Sequence, residues 1–331
     1  VLGRTGLKVP AISFGAGHCQ SPGVIRSGIE RGLNLVETSR PYLGGRSEGI
    51  IGEAIKGLDR DKITLVTKSL NHPQGREGLL SDVEQSLREL GTDYIDVWML
   101  HGMEFAHEIV NPVFREVVTE LKASGKIRFC GLSTHYLDII VPVATREMFY
   151  DVLQVIYNRN SPPEHAQMLT QAHDAGLGII GMKVVANHDA ALVGPTIRHT
   201  GTLGFLDTSL VSITNFEHLK ENLEALRRPY GPADEKLLAS WQRQTSGQLC
   251  RSCGGCSGEC PGRRSIPDLM RCIRYMERYQ EEAFAREQFQ AAAKLGLPGA
   301  CQDCPSCKVR CRFGIDIQER MHHVHEIFNV G

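Results

Sequence analysis

Eight short apolar runs, separated by amphipathic stretches, fill residues 11–226 and restrict the fold more than any other feature. They read AISFG, NLVET, ITLVTK, YIDVWMLH, IRFCGLS, VLQVIYN, LGIIGMKVV and LVSIT. Several are apolar on both faces, as parallel strands covered by helices must be. Between them, SEGIIGEAIKGL, EGLLSDVEQSLREL and NPVFREVVTELKASG carry helical periodicity. In the second of these, Leu79, Leu80, Val83, Leu87 and Leu90 recur at helical spacing and Gly91 supplies a stop. Eight strand–helix alternations in about 220 residues match a (β/α)8 barrel. A doubly wound open sheet is the alternative, but it wants a glycine-rich turn after the first strand, and FGAGH is a poor version of one. The stretch between Val185 and Leu210 is broken by Gly194, Pro195, Gly201 and Gly204 and reads as an irregular loop with at most a short helix.

The 331 residues suffice for such a barrel and a smaller companion. A net charge of −1 excludes a whole-chain basic field for nucleic acid or acidic lipid. No apolar run approaches the roughly 20 residues needed to cross a bilayer. The expected division is a barrel over residues 1–232 and a mainly helical second domain over residues 233–331.

The cysteines define that second domain, since nine of the eleven lie from Cys250 onward. Cys250, Cys253, Cys256 and Cys260 are spaced C-x2-C-x2-C-x3-C, and Cys301, Cys304, Cys307 and Cys311 repeat the spacing. This is the bacterial ferredoxin run, in which the fourth cysteine ligates the other cluster of a pair. On that rule Cys250, Cys253, Cys256 and Cys311 hold one 4Fe–4S cube, and Cys301, Cys304, Cys307 and Cys260 hold the other. Paired tetrahedral zinc sites are the alternative; disulfides suit such close spacing poorly. Pro261 follows the first run, whereas Arg312 follows the second. Cys19, Cys130 and Cys272 read as buried thiols.

Barrel chemistry gathers at the C-terminal strand ends, which here carry Glu37 with nearby Tyr42, then Lys68, then His101. A tyrosine beside an ammonium can deliver a proton at neutral pH, a carboxylate can orient the lysine, and an imidazole can position a substrate oxygen. His18, His72, His135 and His188 fall near the same strand ends and suggest a polar pocket, with a metal site as a lesser alternative. Arg40 and Arg46 flank Tyr42 as candidate anion binders.

The segment NLVETSRPYLGGRSEGIIGEAI resembles the aldo-keto reductase signature, in which a strand ends in Asp-Thr-Ala and the catalytic tyrosine follows five residues after the Asp. VTKS at Lys68, DYIDVWMLH ending at His101 and GKIRFCGLSTH around Ser133 match later landmarks in order, as do the opening LGRTGLKVPAISFG and the closing TNFEHLKENLEAL. The tail, ending CRFGIDIQERMHHVHEIF, is similar to the ferredoxin-like extension of a subset of that family. The resemblance implies hydride transfer between NADP or NAD and a carbonyl. Tyr42 would be the general acid, Lys68 its partner, His101 the orienting group and Glu37 the replacement for the family's aspartate. Ser133 and Gln154 match positions that hold the nicotinamide amide, Thr134 stands where Asn is common, and Asn158 is close by. Thr214 to Asn222 would carry the adenosine end, with Lys220, Glu221 and Asn222 as contacts and Lys220 the cation for a 2′-phosphate. Met182 or Lys183 takes the place of the aromatic that stacks under nicotinamide in many members.

The leading expectation is an oxidoreductase for a small carbonyl or alcohol, with two 4Fe–4S clusters that exchange electrons with a partner protein. The alternatives are an oxidoreductase wired only through its clusters and a non-catalytic electron-transfer subunit. Retention of Tyr42, Lys68 and His101 together argues against the latter. Thiolate clusters favour the reducing cytoplasm. Because the chain opens at Val1 without methionine, export of a folded precursor is the alternative.

Overall fold

The computed structural model describes all residues except 71–73, 186–189, 252–254, 261–264, 278–281, 294–303, 305–306 and 329–331. Eight parallel strands close into a barrel in sequence order: β1 (Ile12–Gly15), β2 (Leu35–Glu37), β3 (Thr64–Ser69), β4 (Ile95–Met103), β5 (Ile127–Thr134), β6 (Val152–Ile156), β7 (Gly178–Met182) and β8 (Thr208–Ser212). Each coincides with one of the eight apolar runs. The open sheet is excluded, because β1 pairs with both β2 and β8.

The helices α1 (Pro22–Glu30), α2 (Ser47–Ile55), α3 (Gly75–Leu90), α4 (Ala106–Ile109), α5 (Pro112–Ala123), α6 (Leu137–Glu147), α7 (Pro163–Asp174), α8 (Ala190–Thr200) and α9 (Phe216–Ala225) alternate with the strands. Their ends follow local chemistry. Asn111 accepts from the Val113 amide ahead of Pro112, and Gly91 ends α3 in the left-handed conformation at φ 63°.

Strand alternation sorts the side chains. Leu35, Val66, Val97, Met99, Val152, Ile180 and Leu210 point inward and fill the barrel with Leu2 and Leu7 from the N-terminus. Val36, Leu65, Trp98, Leu100, Leu132 and Leu153 point outward beneath the helices. Period two then fixes the next inward positions along each strand. Glu37, Lys68, His101, Ser133 and Gln154 fall there, at the C-terminal ends. Here the runs that look apolar on both faces turn polar on one.

One expectation is corrected. The stretch after Val185 contains α8, an eleven-residue helix, rather than an irregular loop with at most a short helix. Burial of Leu192, Pro195, Thr196 and Ile197 against its neighbours outweighs the poor propensity of Gly194 and Pro195. Gly194 has a role of its own: a Cβ there would lie 3.0 Å from an Arg198 guanidinium nitrogen. That guanidinium passes over Gly194 to reach Asp234 (2.6 Å), the buried acid in the first turn of α10 (Pro232–Gln244). Helix α10, which the sequence division gives to the second domain, packs on α8.

Beyond α10, helices α11 (Ile266–Glu277), α12 (Glu282–Ala293) and α13 (Ile317–Phe328) share a second core in which the Phe289 and Phe328 rings stack 4.4 Å apart. A two-residue ribbon, β9 (Cys256–Ser257) against β10 (Arg310–Cys311), sits at its edge. Gly258, at φ 93°, is required there, because a Cβ would overlap the Lys308 carbonyl oxygen. No described helix is long and apolar enough to cross a membrane.

The Asp234 carboxyl is held well below its usual range by hydrogen bonds from Arg198, then from Arg228. Arg198 is buried with it, whereas Arg228 is over half exposed and adds little. Asp234→Ala is expected to cost about 2 kcal/mol in urea unfolding at pH 7. A carboxyl depressed by folding stabilises above its unfolded pKa of about 3.9. The gap between wild type and variant therefore narrows as pH falls below about 4; equal stabilities at pH 7 would show that the pair holds nothing.

Candidate active site at the barrel mouth

Lys68 is fully buried, and its ammonium donates to Glu37 Oε1 and to the Thr38 carbonyl (2.8 Å). Burial pushes the Lys68 pKa down, and Glu37 opposes that shift. The Lys68 ammonium also lies 4.9 Å from the centre of the Tyr42 ring. Tyr42 in turn stands edge-on to His101, with ring centres 5.7 Å apart. The four residues expected to perform catalysis are thus brought together. Tyr42 opens a tight turn in which Leu43, Gly44 and Gly45 have φ of 55°, 64° and 87°. Its ring packs against Gly17, where a Cβ would sit 3.4 Å from it.

His101 Nδ1 pairs with Ser39 Oγ at 2.8 Å. Burial holds the imidazole pKa well below its usual value, and the nearby charges of Lys68 and Lys183 add to this. His101 is therefore neutral at physiological pH. Sequence reasoning missed Ser39, although it stands two residues after Glu37 within the quoted signature.

The glutamate in place of aspartate reaches further than the lysine. Glu37 Oε1 also accepts from Gln154 Nε2 (3.1 Å), which lies 3.6 Å from Met182 Sδ as well. Gln154 is thereby turned so that its buried Oε1 has no partner among the described residues. Ser133 Oγ accepts from the Gly102 amide (2.9 Å). Thr134 is committed to the backbone, donating to the Met103 carbonyl (2.7 Å) and accepting from the Tyr136 amide (2.9 Å). Asn158 donates to the Lys183 carbonyl (3.3 Å). On α9, Lys220 and Glu221 are exposed, whereas Asn222 is buried with Oδ1 unpartnered among the described residues.

Arg40 does not await an anion: it pairs with buried Glu48 and, at 3.2 Å, with Glu89. Arg46 is exposed and bonds the Leu43 carbonyl. Of the extra histidines, His72 and His188 lie outside the described residues. His18 and His135 approach the second core: His18 stands edge-on to Phe284 at 6.2 Å, and His135 Nε2 lies 3.2 Å from Lys183 Nζ. Lys183, at φ 54°, also donates to Tyr275 of α11 and lies 4.4 Å from that ring's centre. Sequence gives no signal for this contact.

Cys19, Cys130 and Cys272 are buried, and burial pushes the latter two thiols up to about 12. Cys250, Cys256, Cys260, Cys307 and Cys311 are half-buried against the second core, and Cys304 is half-buried as well; Cys253 and Cys301 lie outside the described residues. Among the described residues no group of three His, Cys, Asp or Glu is placed to hold a metal ion. Arg312 reaches Glu164 of α7 (2.5 Å).

Replacing Glu37 by Gln leaves the Lys68 ammonium buried without its countercharge. Glu37→Gln is expected to lose about 3 kcal/mol in urea unfolding. Adding Lys68→Met should restore part of that loss, because the stranded charge is then gone. Additive losses would refute the coupling.

The sequence profile of the Aldo/keto reductase family matches residues 23–191, more than half of the chain. Methylglyoxal reductase YeaE of Escherichia coli (strain K12) is 28% identical over 241 residues, which is 65% of this chain and 81% of that protein. An aldo-keto reductase from Bacillus halodurans (holo form) superposes with a TM-score of 0.61 at 19% identity, covering 72% of this chain and 94% of that one. The Klebsiella pneumoniae aldo/keto reductase in complex with NADP and acetate gives 0.60 at 23%, covering 73% and 94%. With the inward layer of Glu37, Lys68 and His101 in place, the profile match makes the chain a member of the aldo/keto reductase family, and hence an oxidoreductase.

Proposed function

We propose that the protein is a nicotinamide-dependent reductase of small carbonyl compounds that carries a two-cluster iron–sulfur domain for exchange with a redox partner. The observation that carries the first half is the convergence of Tyr42, His101 and Lys68 on one mouth, with Glu37 binding Lys68 and Gln154 together. A dinucleotide presents an amide NH2 at one end and an adenine NH2 at the other. The two expected contacts, Gln154 and Asn222, each keep a buried oxygen acceptor with no donor among the described residues. The residues therefore fit the group, with Ser133 beside Gln154 in register. Bound there, the nicotinamide supplies or accepts a hydride.

The side chains supply the proton. Tyr42 Oη donates to the carbonyl oxygen as negative charge develops on it. The Lys68 ammonium stabilises the phenolate left behind. Neutral His101 shares one hydrogen with Ser39 at Nδ1, and in the tautomer that carries the proton on Nε2 it directs that proton at the same oxygen. Glu37 keeps Lys68 charged in a site that otherwise favours the neutral amine.

The cluster domain is supported by the doubled cysteine spacing and by the ribbon register, which sets Cys311 of the second run opposite Cys256 of the first. Gln318 brackets the second run, accepting from the Cys307 amide and donating to the Cys304 carbonyl, both at 3.1 Å. When bound, each cluster would supply one-electron storage. We place this domain after α10 and the protein in a reducing compartment. The commitment of Thr134 to backbone bonds favours a second reading, a barrel that works without dinucleotide and only through the clusters.

Anaerobic titration with NADPH and NADH separates the two. Binding of either is expected, and binding of neither leaves the second reading. Tyr42→Phe should lower carbonyl turnover by about 10²- to 10⁴-fold with nucleotide affinity and visible absorbance unchanged; undiminished turnover removes Tyr42 from its role. Iron and acid-labile sulfide should appear in equal amounts, and zinc in their place would overturn the cluster assignment.

A further inference from the structure

A cavity lies between the barrel mouth and the cysteine segment, with walls from both. The barrel contributes His135 and Tyr136, which follow β5, and Ile156, which ends β6; the cysteine segment contributes Cys250, Cys256 and Cys311. The wall is mostly apolar, with Arg251 and Arg271 also in its lining. These cysteines are three of the four assigned to one ligand set, and the fourth, Cys253, lies outside the described residues. Cys260, Cys304 and Cys307, described members of the other set, take no part in the wall. Two further observations orient the arrangement. The ribbon holds Cys256 and Cys311 opposite each other, and the Phe313 amide donates to Cys311 Sγ at 3.4 Å. On the barrel side, His135 touches Lys183, and the Lys183 charge is felt at both His135 and His101.

Resting on the two-cluster reading above, we infer that the ligand set whose described members are Cys250, Cys256 and Cys311 is the one that borders the catalytic mouth, with His135 among the barrel side chains that line the same cavity. Low dielectric, net charge and nearby hydrogen-bond donors are what set a cluster's potential, and this mostly apolar wall with its few polar side chains supplies them on one side only. His135 is a positioning residue here: it is the barrel's imidazole in the cavity wall, and it links that wall through Lys183 to the field at His101. The described members of the second ligand set do not share this boundary.

The test is potentiometric EPR of the full-length protein, purified anaerobically and reduced with dithionite. Cys256→Ser and Cys304→Ser, by altering or removing one signal each, assign the two signals to their ligand sets. His135→Ala is expected to shift the midpoint and g values of the Cys256 signal and to leave the Cys304 signal alone; His135→Gln, which keeps an N–H donor, should return the signal toward wild type. If His135→Ala does not fold, Lys183→Met provides the same test, with a smaller shift expected in the same signal. A shift confined to the Cys304 signal, or none in either, overturns the inference. Wild-type protein that binds NADPH but shows no iron signal overturns the two-cluster reading and this inference with it, leaving the barrel's assignment intact.

Discussion

The buried pair of Glu37 and Lys68 organises the barrel's interior chemistry. An ammonium with no exposed surface keeps its proton only beside a carboxylate, since transfer from water into the barrel penalises the charge. Glu37 Oε1 receives Lys68 from β3 and Gln154 from β6, so a single oxygen fixes side chains from opposite parts of the barrel. Lys68 then carries the charge to Tyr42 and, at longer range, helps keep His101 neutral. Ser39, two residues beyond Glu37, sets the His101 ring. Remove the carboxylate and each of these arrangements loses its reference point.

The Tyr42 turn is held from behind by a second set of charges. Glu48, buried on α2, accepts from Thr67 Oγ1 (2.6 Å) and pairs with Arg40, whose other partner is Glu89 on α3. Thr67 points outward because its neighbours Val66 and Lys68 point inward, so β3 contributes to the site with one face and to its support with the other. Left-handed Leu43 costs energy for a residue with a Cβ. It persists because Arg40, Ser47 and Glu48 are fixed on either side of it. Such a frame suits a phenol that must keep its place beside a buried cation.

Strand parity made much of this legible. Once the apolar members of each run are assigned to the interior, Glu37, Lys68, His101, Ser133 and Gln154 follow by counting in twos. Ser39 was within reach of the same counting, since it sits beyond the strand but keeps its phase. The helix α8 was not legible, because Gly194 and Pro195 signal a break, whereas the reason for Gly194 is a guanidinium arriving from one turn later. Arg40 had the flanking position of an anion binder, but Glu48 and Glu89 reach it from helices that sequence alone does not place. Thr134 stood at a cofactor position, yet a hydroxyl is short enough to fold back onto its own backbone, where the longer amide of Asn reaches outward. The contact between Lys183 and Tyr275 joins residues with no local pattern in common. It is a product of tertiary packing alone.

That contact belongs to a divided interface. Polar contacts join the two sides of the cavity: Tyr136 Oη donates to Asp268 (3.0 Å), Asp268 also pairs with Arg271, and Lys183 meets Tyr275. Burial pushes the Tyr136 pKa up, with Asp268 and Glu104 adding to it, and the Glu104 carboxyl is raised by burial and by Asp268. Buried polar groups contribute little net stability, but leaving one unmatched is costly, so they fix how two surfaces meet. An apolar contact alone would tolerate sliding of α11 across the mouth. Tyr136, Asp268 and Arg271 tolerate one register, and in that register Cys250, Cys256 and Cys311 line the same cavity as His135. The polar contacts thus decide orientation while the apolar side chains around them supply buried area. Together they let the charge on Lys183 act at His101 through protein rather than through solvent.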